Sequence, residues 1–264
     1  MGLAPGEIVV ASPVQRAFRS EQLRAEWSFR LVPEAFEGGG AWITPRRADR
    51  VQVAAGMAVD QSRSLQEAGR RARTAMRRYA VANRCDRMVT LTYASACDDR
   101  DQFVHDVHRF WVDLRSVMGG SARPYVWVPE WHKTHGLHAH AAVSEYVPFS
   151  TVRDVWGRGR VRIERMAGAP VGQSRSVVAE RARICARYLA KYIGKAFDDE
   201  RRVLGRHRYE VGQGFQPASE VLTAATRDDV LRQACERMNA PAERLWFSPE
   251  DAEFTAMWAS WRAA

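Results

Sequence analysis

Hydrophobic and polar positions alternate with two periods along this chain, and the switches between them outline its elements. Leu65, Ala68, Ala72, Met76 and Tyr79 recur every three to four positions, which predicts an amphipathic helix. Ser64 and Glu67 have capping-box spacing at its start, and the pattern fades near Asn83. Met88–Tyr93 is rich in β-formers and predicts a buried strand. Phe103, Val107, Phe110, Trp111, Leu114 and Met118 form a second helical stripe over Asp101–Met118, which Gly119-Gly120 stops. Tyr125–Val128 and Leu137–Val143 predict two further strands joined by a hairpin-like loop. A short helix (Thr151–Trp156), a basic strand (Arg160–Glu164), a Gly/Pro/Ser loop over residues 167–175 and a long helix from Val177 to Phe197 follow.

The two ends are less regular. Gly38-Gly39-Gly40 and Pro45 interrupt residues 1–60, where short strands are expected around Ile8–Val10 and Val51–Val53. Arg201, Arg202, Arg206, His207 and Arg208 form a basic cluster after the long helix. Ser248-Pro249 reads as the N-cap and first turn of a last helix. Phe254, Trp258 and Trp261 would line one face of it, with core packing as their simplest use.

Composition narrows the class. A chain of 264 residues, 46% hydrophobic, is long enough for one substantial core with appendages or for two small domains. No apolar run approaches the length of a membrane span. Glu7, Arg16 and Arg19 break any signal-peptide layout. Cys85, Cys97, Cys185 and Cys235 lack CxxC spacing and read as reduced thiols, so a cytoplasmic protein is expected.

A net charge of +9 favours a polyanionic partner, most simply nucleic acid, with a general basic bias as the alternative. Arg70, Arg71, Arg73, Arg77 and Arg78 surround the first helical stripe; they are either phosphate contacts or a solvated basic face. Of the 40 lysines and arginines only three are lysines: Lys133, Lys191 and Lys195. All three fall beside the chemistry described next, where a compact ammonium differs from a planar guanidinium. Lys133 is thereby a further candidate DNA contact.

His138 and His140 sit two apart in a predicted strand, so both imidazoles project from one face. They make half of a divalent-metal site. Glu130, at hairpin distance, adds a carboxylate, and the set suits Mg²⁺ or Mn²⁺ bound together with a phosphate. His132 and His135 are rival third ligands. On the long helix, Tyr188 and Tyr192 are four apart and share a face, as do Lys191 and Lys195. Alone that stretch reads as packed helix; beside a metal site the tyrosines become candidate nucleophiles.

Three segments, in this order, resemble the HUH endonucleases and specifically the rolling-circle replication initiators. Val89-Thr90-Leu91-Thr92-Tyr93 is similar to their first motif. Glu130 with His138-Ala139-His140 is similar to the metal motif, and Tyr188-Leu189-Ala190-Lys191-Tyr192 to the third. The two-tyrosine spacing resembles that of gene-A-type phage initiators and similar plasmid initiators. Over residues 86–197 the resemblance implies an α+β fold: a central antiparallel sheet of about five strands flanked by helices, with a ferredoxin-like or RRM-like core. It divides the chain into an N-terminal extension (1–60), a nuclease domain (61–200) and a C-terminal helical extension packed on the core (201–264).

The implied activity is metal-dependent nicking and rejoining of single-stranded origin DNA. His138, His140 and Glu130 would hold Mg²⁺ or Mn²⁺, Tyr188 would attack to give a 5′-phosphotyrosine, and Tyr192 would take the second transfer. Lys191 and Lys195 would neutralise phosphate charge. No G-x-x-x-x-G-K-[ST] motif is present, so a host helicase is implied along with a polymerase. The third histidine usual in relaxases is not clearly filled. A transposase or relaxase with the same chemistry, a metal-dependent hydrolase and a non-catalytic DNA-binding protein remain the alternatives.

Overall fold

The computed structural model describes residues 25–44, 57–132, 136–166, 168–198, 208–249 and 254–263. The strands expected around Ile8–Val10 and Val51–Val53, Lys133, His135, and the basic cluster up to His207 lie outside these residues. The α+β expectation holds: the described residues form five helices and two five-stranded antiparallel sheets.

The central sheet contains β3 (Arg87–Tyr93), β4 (Tyr125–His132), β5 (Gly136–Val143), β6 (Gly159–Glu164) and β7 (Glu210–Val211), in the order β6-β3-β5-β4-β7. Alternation along the strands sorts its two faces. Leu91, Trp127, Leu137, Ala139 and Ala141 pack with Phe103, Val107 and Phe110 of α2 (Arg100–Val117) and Trp156 of α3 (Phe149–Trp156). Asp99 caps α2, accepting from the backbone N–H groups of Asp101 and Gln102. On the other face Met88, Val126, Val128 and Ala142 pack under α1 (Gln61–Ala82) and α4 (Arg175–Asp198). Gly136 opens β5 at φ 68°, and a Cβ there would lie 2.4 Å from the Cys97 carbonyl, so only glycine fits. The Leu137 N–H then donates to that carbonyl at 2.8 Å and fixes the entry of the histidine strand.

The second sheet joins distant parts of the chain. It contains β1 (Glu26–Val32), β2 (Glu37–Ile43), β8 (Glu220–Ala224), β9 (Arg244–Phe247) and β10 (Ala256–Ser260), in the order β8-β1-β2-β10-β9. Phe29, Leu31, Leu222, Met257 and Ala259 fill a core with Val230 and Ala234 of α5 (Arg227–Met238).

Three local expectations are corrected. The first helix starts at Gln61, capped by Asp60, whose carboxylate accepts from Arg63 N at 2.9 Å; Ser64 is already inside it. Gly38-Gly39-Gly40 lies within β2 and does not interrupt it, because the Phe29 ring on β1 occupies the space a Gly38 side chain would need, 2.3 Å from its Cβ position. Residues 250–253 of the helix expected after Ser248 lie outside the described residues, and Ala256–Ser260 of it form a strand, β10, inserted between β2 and β9. Ser248 instead closes that hairpin, its Oγ accepting from Ala256 N at 3.0 Å. Two unpaired strand edges outcompete the local helical pattern. Of the stripe read there, Trp261 is fully buried while Trp258 faces the opposite side of the sheet from Met257. No described helix is long and apolar enough to cross a membrane.

Candidate functional site

Antiparallel register arranges the chemistry in two rows across the central sheet. One row is Arg160–Thr92–His138–Glu130 and the next is Arg162–Thr90–His140–Val128. All of these side chains project toward α4, because they share strand parity with Met88, Val126 and Ala142. His138 and His140 therefore do share a face, with ring centroids 6.4 Å apart.

Each imidazole is held from behind by a threonine. Thr90 Oγ1 lies 3.2 Å from His140 Nδ1, and Thr92 Oγ1 lies 3.4 Å from His138 Nδ1. A hydroxyl both donates and accepts, so this support works for either tautomer. His140 turns Nε2 to Glu130 Oε2 at 2.7 Å, and Lys195 Nζ donates to the other Glu130 oxygen at 2.5 Å. Burial pushes the Glu130 carboxyl up, but the hydrogen bonds and charges of His140 and Lys195 outweigh it and hold it at about 2.

Helix α4 brings the tyrosines onto this face. The Tyr192 ring stacks on His140, centroids 3.9 Å apart and planes 7° from parallel. Its hydroxyl donates to Tyr188 Oη at 2.8 Å. Tyr192 is buried, and burial together with the Tyr188 hydrogen bond pushes its hydroxyl well above the ordinary tyrosine range. Tyr188 is half-buried. Lys191 Nζ lies 5.4 Å from the Tyr188 ring centroid and Lys195 Nζ 5.2 Å from that of Tyr192. Glu130, His140, Tyr192 and Tyr188 thus form one continuous chain of contacts.

Residues 86–197 match the family model Replication-associated protein ORF2/G2P. No curated protein and no solved structure matches the chain. The matched segment spans β3 to α4, so it contains every residue of that contact chain; β1, β2, α1 and all elements after α4 lie outside it.

The donor set of one carboxylate and two threonine-braced imidazoles is chemically suited to a hard or borderline divalent cation. Among the described residues, however, no three His, Cys, Asp or Glu side chains converge as a ready-made cage. Glu130 and His140 already touch each other, and a cation there would take the place of their shared proton. His132, on the same strand face as Glu130, stacks on His138 at 5.2 Å between centroids.

Sequence reasoning overlooked three contributors. Thr90 and Thr92 appear in the sequence only within the segment that resembles the first motif, as polar residues spaced by two with no role assigned to either. Arg160 is exposed at the end of the His138 row. Of the helix arginines, Arg77 and Arg78 clamp the buried Glu37 of β2, at 2.7 and 3.0 Å, while Arg70 and Arg71 are exposed.

Proposed function

We propose that this protein initiates rolling-circle DNA replication by nicking and rejoining single-stranded origin DNA through a 5′-phosphotyrosine. The observation that carries the reading is the contact chain Glu130–His140–Tyr192–Tyr188, which sets two phenols beside a carboxylate–imidazole pair on one sheet face. The replication-associated family match over the same residues supports it.

Tyr188, the more accessible phenol, attacks the scissile phosphorus. Its Oη–P bond forms as the P–O3′ bond breaks; the phenol loses its proton, and the leaving oxygen gains one to become a free 3′-hydroxyl. Tyr192 donates to the attacking oxygen and orients it. Once Tyr188 carries phosphate, Tyr192 is the phenol left for the second transfer, and attack by a 3′-hydroxyl restores the diester without ATP. Lys191 places positive charge beside the phosphate, and Arg160 contacts a neighbouring one. Glu130, His138 and His140 would hold Mg²⁺ or Mn²⁺, which supplies polarisation of the scissile phosphate when bound. Extension of the freed 3′ end calls on a host polymerase and helicase.

The test is incubation with labelled single-stranded DNA and Mn²⁺, followed by a denaturing gel. A covalent protein–DNA adduct at the 5′ side of the cut is expected, and it should vanish in Tyr188→Phe/Tyr192→Phe while DNA binding persists. Cleavage without an adduct would favour a water-activating hydrolase instead, and nicking by the double variant would remove the tyrosines from the reaction.

A further inference from the structure

Outside the replication-associated segment, α1 and the second sheet enclose a groove of about 670 Å³. Among the described residues, six arginines line it (Arg30, Arg63, Arg70, Arg71, Arg77 and Arg78) against a single carboxylate, Glu67. Glu67 is shared by Arg63 and Arg71, and the buried Glu37 behind the wall holds Arg77 and Arg78. The described lining residues keep a positive excess that these pairs do not cancel.

The remaining wall is aromatic. Trp246 and Trp258 are cross-strand partners on one row of the sheet, and that row continues through Gly39 to Arg30. Gly39 has no side chain to fill the floor between them. Trp246 stands on the edge strand β9 and is 49% exposed. Arg70 lies over the Phe254 ring at 5.4 Å and Arg77 over the Trp258 ring at 5.9 Å, so guanidinium planes and aromatic rings interleave along the groove.

We infer that this groove binds single-stranded DNA, with Arg63, Arg70 and Arg71 against phosphates and Trp246 stacking on a base. A duplex hides its base faces, so an exposed aromatic wall inside a basic groove selects for an unpaired strand. The choice of DNA rests on the nicking reading; the groove itself does not. Helix α1 links the two sites. Its Arg63–Arg78 face lines the groove, and its Met76, Tyr79 and Ala80 pack in the core shared with Leu189 and Tyr192 of α4.

The experiment is fluorescence anisotropy on the full chain in EDTA, where no metal-dependent cleavage can occur, so its result is independent of the adduct assay. The probes are labelled oligo(dT) of about 16 nucleotides, its abasic counterpart, oligo(U) and a duplex of equal length. Trp246→Ala is expected to weaken oligo(dT) binding about tenfold and to leave the abasic strand unchanged, while Trp246→Phe retains most of the affinity. Arg70→Ala/Arg71→Ala should weaken both strands and lower the slope of log affinity against log salt by about 1.4. Both sites are exposed, and a circular-dichroism melt of each variant checks its fold. Equal losses of Trp246→Ala on the normal and abasic strands would overturn the stacking, as would no loss on oligo(dT). Unchanged binding by the arginine variant would overturn the groove. Tighter binding of oligo(U) or of the duplex would overturn the choice of single-stranded DNA.

Discussion

The central sheet and the second sheet have the same strand count and the same antiparallel pairing, but they are put together in opposite ways. Four of the central strands follow one another between Arg87 and Glu164, and the histidine strand lies at the middle, covered by helices on both faces. The second sheet pairs residues 26–43 with strands after Glu220, and one of its edges, β9, is exposed at every residue. The enclosed sheet can fix side chains for chemistry, because each imidazole is braced by a neighbouring strand. The open sheet can offer a broad surface. That division explains why one contains the tyrosine-facing site and the other the arginine–aromatic groove.

Several variants test the division, and the largest effect belongs to the central sheet. Tyr188→Phe/Tyr192→Phe should abolish adduct formation while the melting temperature changes little; a folded protein that still forms the adduct would break the assignment. Asp86→Ala should destabilise the fold by about 3–5 kcal/mol in chemical denaturation, because it strands the buried Arg181 guanidinium that ties α4 to the start of β3.

Thr90→Val should reduce adduct formation or metal affinity about 10- to 100-fold and cost about 1–3 kcal/mol of stability, since it removes the brace behind His140 and leaves a buried ring nitrogen unpaired. In the second sheet, Gly38→Val should cost about 1–3 kcal/mol by forcing the Phe29 ring aside, yet leave adduct formation intact below the melting point. The smallest effect is a pH slope. The Glu130 carboxyl titrates lower in the folded protein than in the unfolded chain, so its stabilisation is complete above the unfolded value of about 4.3 and is lost as pH falls toward 2. Glu130→Gln should flatten that part of the acid-denaturation curve.

The same contrast governs what was legible. The central elements have strong local periods and short connections, so their order, the shared face of the histidines and the pairing of Tyr188 with Tyr192 could be read from spacing. Thr90 and Thr92 could not, because their role depends on the β3–β5 register. Nor could the second sheet. Phe254, Trp258 and Trp261 fit a helical period as well as a sheet, and what decides between them is the pair of waiting edges on β2 and β9. Gly38-Gly39-Gly40 reads as a break until Phe29 is seen to cover it. Helix α5 escaped notice because only Val230 and Ala234 are buried, too thin a stripe to register.

The placement of β10 between β2 and β9 bears on the order of events during synthesis. On a ribosome, β3 through α4 emerge together and can close the histidine sheet early, whereas β2 must wait for more than two hundred further residues before its neighbour arrives. Until residue 260 is out, the glycine-rich edge of β2 that receives β10 has no partner. A nascent chain stalled before β10 would therefore hold an assembled tyrosine site beside an unfinished groove, with an open strand edge ready to pair with another chain.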